Sequence, residues 1–316
     1  MPAPHPTPHS LKPVLMLLLA TAGWGLSFPL MKALLLVQRQ LAPTASEWWL
    51  TAQSLTARFG LAALVAAILY RRRFRKIQWP EWKLGLGLGL LNGGGMIFQM
   101  TALGHTHAST SAFLTSAFVI IIPVWLALRR RKWPSGMLTG CCALVVVGLS
   151  ILSRMDWRQF HLGPGEQLTL LSAVIFSGAI LWLARPEFVT TDKCAATVIM
   201  FATTAAMFGP ALIWPGSDSG VIYQSGAVWI LLAGLVVLCT VLAFTLMNVW
   251  QPHLAPTHAG LIYCAEPVIA SVCALVLPAG LARLGQVDYA NETVTISLLI
   301  GGSLITLANG LAQFDR

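Results

Sequence analysis

Long apolar segments alternate with short polar stretches along most of the chain. A bilayer core about 30 Å thick requires about 20 apolar residues in each helix that crosses it. By that measure the pattern predicts ten membrane-spanning helices. The ten segments are Pro13–Val37, Trp48–Tyr70, Leu84–Gly104, Ala108–Leu128, Pro134–Leu152, Gly165–Ala184, Cys194–Trp214, Ala227–Trp250, Thr257–Leu277 and Thr293–Leu311.

The composition agrees with a membrane protein. An average soluble domain contains about a quarter charged residues, whereas only 10% of these 316 residues are charged and 56% are hydrophobic. The net charge of +9 would suit a nucleic-acid partner, but the basic residues lie in short loops. They do not alternate with aromatic residues as they would on a nucleic-acid surface. We therefore expect lipid around the chain and no nucleic-acid partner.

The loop charges predict an orientation. Ten spans would place both termini on one side, where the loops carry fourteen lysines and arginines against four on the other side. Because basic loops remain in the cytoplasm, both termini are predicted to be cytoplasmic, most simply in a bacterial inner membrane. Ala20-Thr21-Ala22 resembles a signal-peptidase site, but the apolar run continues beyond it, so we expect the first helix to be retained.

A polar loop divides the chain into two halves with five segments each. Since five is odd, the second half must enter the membrane upside down relative to the first, as in an inverted repeat. The expected fold is therefore an all-α membrane protein with ten transmembrane helices in two inverted five-helix repeats. The predicted parts are a disordered tail 1–11, a first repeat 12–152, a connecting loop 153–164 and a second repeat 165–316.

The fourth and ninth segments resemble each other and share a Pro-Val pair. SAFLTSAFVIIIPVW (111–125) and THAGLIYCAEPVIAS (257–271) both run from small polar residues through an apolar stretch to Pro123 or Pro267. Proline removes a backbone donor and breaks or kinks a helix. Both prolines are predicted to mark a helix break or gating point.

Glu266 is the only acidic residue deep within a predicted segment. A charge at the bilayer centre costs about 3 kcal/mol on insertion scales, and Pro267 beside it frees a carbonyl that lipid cannot satisfy. The pair predicts a polar or hydrated interior, where Glu266 binds substrate or exchanges a proton. The alternative is that Glu266 only ties helices together through a hydrogen bond.

Other polar or aromatic residues at membrane depth are candidates for the same interior. Asn92 and Gln99 lie seven residues apart and hence on one helix face, which we expect to turn inward. Aromatic side chains could line a pocket, although lipid contact or packing is the commoner role for each. These aromatic candidates are Trp24, Phe28, Phe176 and Tyr263.

Three further features are assigned structural or gating roles. Gly93, Gly94 and Gly95 weaken the third helix and are predicted to permit a break or gating movement. Lys32 and Arg58 are candidate countercharges for Glu266. Snorkelling of Lys32 and a structural contact between Arg58 and carbonyls or helix ends remain the alternatives.

No motif of a known catalytic or metal site is present. His105-Thr106-His107 lacks an evident third ligand, and there is no P-loop and no order of Ser, His and Asp typical of a hydrolase. The six cysteines fall in apolar segments and are expected to be small buried hydrophobes. We expect neither a metal nor a cofactor, and no enzymatic activity.

Several segments resemble the EamA-type transporters of the drug/metabolite transporter superfamily. AGWGLSFPLMKALL (22–35), LTARFGLAAL (55–64) and STSAFLTSAFVIIIPVW are similar to the first, second and fourth helices of that family. GEQLTLLSAVIFSG (165–178) is similar to the start of its second repeat, and APTHAGLIYCAEPVIAS (255–271) to its ninth helix. The resemblance places the family's arginine on Arg58 and its Glu-Pro pair on Glu266 and Pro267.

The resemblance implies ten helices in two inverted repeats around a central cavity. It also implies transport of small metabolites, often export of amino acids or related compounds. One departure is LPAGLARLGQVDYANET (277–293), which replaces the short Gly-Glu turn that usually follows the ninth helix in the family. The outer mouth of the protein is therefore expected to differ from that of its relatives.

The function predicted from the sequence is a secondary transporter that moves a small molecule by alternating access. Uptake coupled to protons or ions is the alternative to export, and a membrane-embedded enzyme or a non-transporting scaffold is the alternative in another class. A scaffold should fill its centre with packed apolar side chains and leave no cavity beside Glu266. The sequence leaves open whether the protein forms a homodimer.

Overall fold

The computed structural model describes residues 11–74, 76–102, 105, 111, 114–131, 133–152, 163–210 and 219–312, and within them it contains helices and no strand. The principal helices are α1 (Leu11–Leu41), α2 (Glu47–Leu69), α3 (Trp79–Ala102), α4 (Phe118–Arg130), α5 (Gly136–Leu152), α6 (Pro164–Leu183), α7 (Lys193–Phe208), α8 (Gly226–Val236), α9 (Ala243–Trp250), α10 (Pro256–Tyr263), α11 (Glu266–Val276), α12 (Pro278–Gly285) and α13 (Ile296–Ala312). Residues 1–10 of the predicted tail 1–11 and residues 153–162 of the predicted connecting loop 153–164 lie outside the described residues, while Leu11 begins α1.

Five helical stretches in this part of the chain are long and apolar enough to cross a membrane. They are Leu11–Leu41, Glu47–Leu69, Pro164–Leu183, Gly226–His253 and Pro256–Val276. Shorter apolar helices lie at α4, α5, α7 and α13. The chain is thus an all-α, multi-pass membrane protein, and each of the ten predicted segments contains helix where it is described.

Two predicted segments contain internal irregularities. Between α8 and α9 the chain forms a π-helical turn, Val237–Leu242. Cys264 and Ala265 separate α10 from α11, so a break immediately precedes Glu266 and Pro267. This is where the sequence predicts a break.

The glycine-rich helix α3 packs closely between α6 and α7. A Cβ added at Gly89 would lie 2.5 Å from Thr203 Cβ and 2.8 Å from the Met200 carbonyl oxygen on α7. On a neighbouring face, a Cβ added at Gly87 would lie 2.4 Å from the ring of Trp182 on α6. Only glycine permits this approach, so these residues join the two halves of the chain by tight helix packing.

Large apolar side chains cover the outside of the bundle. Exposed examples come from many helices, including Leu19, Leu64, Ile68, Ile120, Val174, Ile230, Val272, Val276 and Ile300. Exposed tryptophans at or near helix ends include Trp48, Trp79, Trp133 and Trp229, as expected at the two membrane–water interfaces. The surface therefore fits a lipid environment.

Charged residues cluster where α3 begins and where α6 is joined to α7. Lys83 Nζ lies 2.7 Å from Glu187 Oε2, and Arg185 Nη1 lies 3.0 Å from Glu187 Oε1. The hydrogen bond from Lys83 is the largest cause that lowers the pKa of Glu187 from its usual 4.5. Asp192 Oδ1 caps α7 by accepting from the backbone N–H of Cys194 at 2.9 Å. The Lys83–Glu187 pair connects the two halves at their predicted cytoplasmic face, and the other two contacts lie within the second half.

Candidate functional site

The described residues enclose a cavity in the middle of the bundle, at the break between α10 and α11. Its volume, measured as the space that a water-sized sphere can occupy, is about 80 Å³, which is room for a few water molecules. The first half contributes lining residues from α1, α3 and α4, and the second half from α6, α9, α10 and α11. The lining comprises Trp24, Ser27, Phe28, Met31, Asn92, Met96, Gln99, Met100, Thr115, Phe118, Phe176, Ala179, Ile180, Phe244, Met247, Tyr263 and Glu266.

All seven residues that the sequence assigns to substrate binding or proton coupling line this cavity. They are Glu266, Tyr263, Asn92, Gln99, Trp24, Phe28 and Phe176. They come from five helices in both halves of the chain. The structure thus brings together side chains that the sequence analysis selected one by one.

Glu266 begins helix α11 on the cavity wall. Within the described part of the chain its carboxylate accepts no hydrogen bond and has no basic side chain within 4 Å. It lies in the first turn of α11. The carboxylate therefore faces the cavity without a side-chain partner.

Asn92 and Gln99 bring two amide groups to the wall, both already engaged as donors. Asn92 Nδ2 donates to the Leu88 carbonyl oxygen at 2.9 Å, and Gln99 Nε2 donates to Thr115 Oγ1 at 3.1 Å. One N–H of each amide is used in this way, and the second N–H of Asn92 contacts Met200 Sδ at 3.7 Å. The two amide oxygens and the second N–H of Gln99 are therefore left for a ligand.

Aromatic rings form much of the remaining wall. The ring centroid of Trp24 lies 5.2 Å from that of Tyr263 and 5.3 Å from that of Phe244. Tyr263 donates its hydroxyl hydrogen to Gln251 Oε1 at 2.9 Å. Gln251 Nε2 in turn donates to the Ile180 carbonyl oxygen at 2.9 Å, which ties the cavity wall to α6. The buried indole N–H of Trp24 has no hydrogen-bond partner among the described residues.

Neither candidate countercharge pairs with Glu266. Arg58 is buried and donates from Nε to Thr240 Oγ1 at 2.6 Å and from Nη2 to the Cys239 carbonyl oxygen at 3.1 Å. Both partners belong to the π-helical turn. Lys32 is exposed, with Nζ 5.1 Å from the centroid of the Tyr289 ring. Both residues make their contacts away from the carboxylate of Glu266. The structural alternative therefore describes Arg58, and the snorkelling alternative describes Lys32.

Two of the predicted gating positions lie in continuous helix. Pro123 lies inside α4, and the irregular turn of this segment instead falls at Ser116 and Ala117, before α4 begins. The run Gly93–Gly95 lies within α3, which continues through it. Here the glycines provide space: a Cβ added at Gly95 would lie 2.4 Å from the ring of Phe176. Only the predicted break at Pro267 coincides with an interruption of helix.

Sequence reasoning missed the methionines and two phenylalanines of the cavity. The missed side chains are Met31, Met96, Met100, Met247, Phe118 and Phe244. A signal was present for two of them, because Met96 and Met100 follow Asn92 at intervals of four and share its helix face. The others are apolar residues in apolar segments, where a cavity wall and a lipid-facing surface have the same pattern.

Histidines and cysteines form no candidate metal site in the described part of the chain. No group of three His, Cys, Asp or Glu side chains occurs there. The six cysteines form no disulfide bond with one another. His107 lies outside the described residues, so the predicted absence of a metal at the HxH sequence stays a prediction.

Comparisons with known proteins give one sequence family and one fold. Residues 11–154 match the model of the EamA-like transporter family. A relative from Archaeoglobus fulgidus, described as "Uncharacterized transporter", is 28% identical over 167 residues, which are 51% of this chain and 46% of the relative. The alignment thus spans about half the length of the curated relative.

The fold is also found in a solved structure. A protein described only as "Crystal structure of protein" superimposes with a TM-score of 0.70 at 18% identity, and the match covers 96% of each chain. At this identity the likeness concerns the fold alone. Residues 11–154, somewhat less than half of the chain, are thus similar to the EamA-like transporter family that the sequence motifs had indicated.

Proposed function

We propose that this protein is a secondary transporter that moves a small organic metabolite across a membrane by alternating access. The observation that carries the proposal is the central cavity, lined from both halves of the chain and placed at a helix break beside an unpartnered carboxylate. Transporter sites typically lie at such breaks, between repeats near the bilayer midplane. The family match and the name of the archaeal relative agree with a transporter rather than an enzyme.

The proposed architecture is ten spans in two inverted repeats. Exchanging the first five segments for the second five maps α3 onto the α8–α9 span, α1 onto α6 and α2 onto α7. In the structure α3 packs on α6 and α7. The exchange predicts that the α8–α9 span packs on α1 and α2, and these contacts are also present. The pairs α2–α7 and α5–α13 map onto themselves and also pack together. This pattern supports a two-fold axis in the membrane plane.

The proposed direction of transport and the proposed orientation in the membrane rest on the family resemblance and on the loop charges. Export of amino acids or related compounds is what the family resemblance implies, with uptake as the alternative. Cytoplasmic termini and a bacterial inner membrane follow from the fourteen basic loop residues on one side and four on the other. The lining of the cavity disfavours a scaffold, whose centre would have no reason to keep Glu266 facing open space.

The experiment uses cells with and without the protein and a panel of metabolites measured inside and outside the cells. We expect at least one small organic compound to be redistributed only in cells that contain the protein. Equal distribution across the panel in both strains would contradict a transport function.

The role of Glu266 is tested with the compound that the panel identifies, in proteoliposomes containing Glu266→Gln. We expect transport to fall at least tenfold, because the neutral amide can neither balance a positive charge nor carry a proton. Glu187→Gln, which alters an exposed carboxylate outside the cavity, is the matched control and should retain transport. Full activity of Glu266→Gln would leave the carboxylate with a structural role only.

A further inference from the structure

We infer that the cavity selects monovalent organic cations, meaning amines or quaternary ammonium ions with an apolar body, over zwitterionic amino acids and anions. The inference rests on the proposed transport function and narrows its substrate class. Four features of the described cavity support it: its one acidic group, the position of Arg58 behind its wall, its hydrogen-bond donors and its aromatic rings.

The described cavity wall holds one acidic side chain and no basic one. Glu266 contributes the carboxyl group, and no lysine, arginine or histidine is among the lining residues. A carboxylate buried there without a partner is costly. A bound ammonium group would supply that partner, whereas a bound carboxylate would bring a second acidic group into the same space.

Arg58 is a basic side chain in contact with the cavity wall that could have received a substrate carboxylate. Its Nη1 lies 3.3 Å from Met31 Sδ, so it stands behind a methionine of the cavity wall. Its other donors already bond the π-helical turn at Cys239 and Thr240. An anion could reach Arg58 only after Met31 moved aside and these bonds were broken.

Neutral donors do not replace a basic residue here. One side-chain N–H of Asn92 and one of Gln99 already donate to Leu88 and Thr115. The donors left in the wall are neutral: the second N–H of Gln99, the Ser27 hydroxyl and the Trp24 indole N–H. None of them carries a positive charge to balance a carboxylate, so its burial in this cavity remains costly.

The rings and thioethers favour a cation with an apolar body. Trp24, Phe28, Phe118, Phe176, Phe244 and Tyr263 line the cavity together with four methionines. Aromatic faces attract ammonium groups, tryptophan most strongly. Methionine adapts to irregular apolar shapes, which suits a site that accepts bodies of different form.

The experiment measures binding to the purified full chain in lipid nanodiscs by isothermal titration calorimetry. Three ligands share a benzyl body and differ in charge: phenethylamine is a cation, phenylalanine a zwitterion and phenylpropionate an anion. We expect phenethylamine to bind at least tenfold more tightly than phenylalanine, with phenylpropionate weakest. Tighter binding of either carboxylate-bearing ligand, or binding of none of the three, would overturn the inference.

Two variants locate the site. Glu266→Gln should weaken phenethylamine binding at least tenfold, while Glu187→Gln should leave it unchanged. Unchanged affinity in Glu266→Gln would overturn the inference, and so would phenylalanine binding that is lost in Arg58→Gln. If Glu266→Gln does not fold, the three-ligand comparison on the unaltered protein and a loss of phenethylamine affinity in Trp24→Leu remain decisive.

The outcomes separate the inference from the transport function. A metabolite redistributed by the protein in cells, together with no preference for phenethylamine, would retain the transporter and remove cation selectivity. Binding of phenethylamine that depends on Glu266, together with no redistribution of any compound, would retain the cation site and remove transport.

Discussion

At the residue scale, the glycines of α3 determine how closely the two halves of the chain can approach. Gly89→Ala would place a methyl group against the backbone of α7, at 2.8 Å from the Met200 carbonyl oxygen. Backbone cannot move aside as a flexible side chain can, so we expect a loss of about 1–3 kcal/mol. Thermal unfolding in detergent, followed by size-exclusion chromatography of the heated protein, measures the change.

The matched control is Gly140→Ala in α5, where an added Cβ meets nothing within 4 Å. Alanine has the higher helix propensity, so this variant should be as stable as the unaltered protein or more stable. Equal stability of the two alanine variants would show that the α3–α7 contact is looser than the structure has it.

Glu187 should make the stability depend on pH in acid. Its pKa is lowered from 4.5 in the folded protein, chiefly by the Lys83 hydrogen bond. A lowered pKa means that the stabilisation is complete above the ordinary pKa and is lost as the pH falls through the lower, folded-state value. We expect the unaltered protein to unfold at a higher temperature than Glu187→Gln at neutral pH. The difference should shrink as the pH falls below the ordinary pKa of 4.5 and vanish below the lowered pKa of the folded protein.

The control for this prediction is the double variant Lys83→Met, Glu187→Gln. It should be no less stable than Glu187→Gln alone, because the partner of Lys83 is already gone. A difference between the unaltered protein and Glu187→Gln that persists at low pH would assign the effect to something other than ionisation.

The chemistry of single residues explains why part of the site could be predicted from the sequence. Glu266 stood out because an acid is rare in an apolar segment, and Asn92 and Gln99 because amides at membrane depth need partners. Met31 and Phe244 carried no such signal, since an apolar residue is equally at home against lipid and against a cavity. Polar candidates were therefore found more completely than apolar ones.

At the element scale, the π-helical turn Val237–Leu242 depends on Arg58. A π-turn leaves backbone groups outside the regular helical pattern, and Arg58 donates to the Cys239 carbonyl oxygen and to Thr240 in that turn. Arg58→Gln loses a charged donor to a buried acceptor, so we expect a loss of about 1–3 kcal/mol. Thermal unfolding measures this loss, and amide hydrogen exchange should rise locally over residues 237–242.

Arg185→Gln serves as the control, since Arg185 is an exposed arginine paired with Glu187 at the surface. It should change stability little, as exposed ion pairs contribute about 0–1 kcal/mol. Uniform hydrogen exchange across the α8–α9 span in Arg58→Gln would contradict a specific role for Arg58 in that turn.

Elements differ in how much of them the sequence could predict. The break before Glu266 was predictable because proline removes a backbone donor. The π-turn was not, because its sequence, VLCTVL, contains neither proline nor glycine. It forms where the buried guanidinium of Arg58 meets it, a contact between residues 182 positions apart. Pro123 shows the reverse case, since α4 continues through a proline that lies near neither of its ends.

At the scale of the whole molecule, the number of spans and the loop charges predict one orientation in the membrane. The two were inferred separately: the spans from apolar length, the orientation from lysines and arginines. An error of one span in the first half would move every later loop to the opposite side and remove the charge asymmetry. The asymmetry therefore supports ten spans, and the exchange of helix contacts between the halves supports their inverted arrangement.

The orientation is tested with single cysteines in a chain whose six native cysteines are replaced by alanine or serine. In the Lys76→Cys variant the cysteine should react with a membrane-impermeant maleimide only after the cells are permeabilised. In the Ala290→Cys variant it should react in intact cells. Both positions are exposed in the structure, so the membrane alone should make them differ. Labelling of both in intact cells would place the α2–α3 and α12–α13 connections on the same side. The chain would then cross the membrane an even number of times between these two connections. That result would contradict both the ten spans and the inverted repeat.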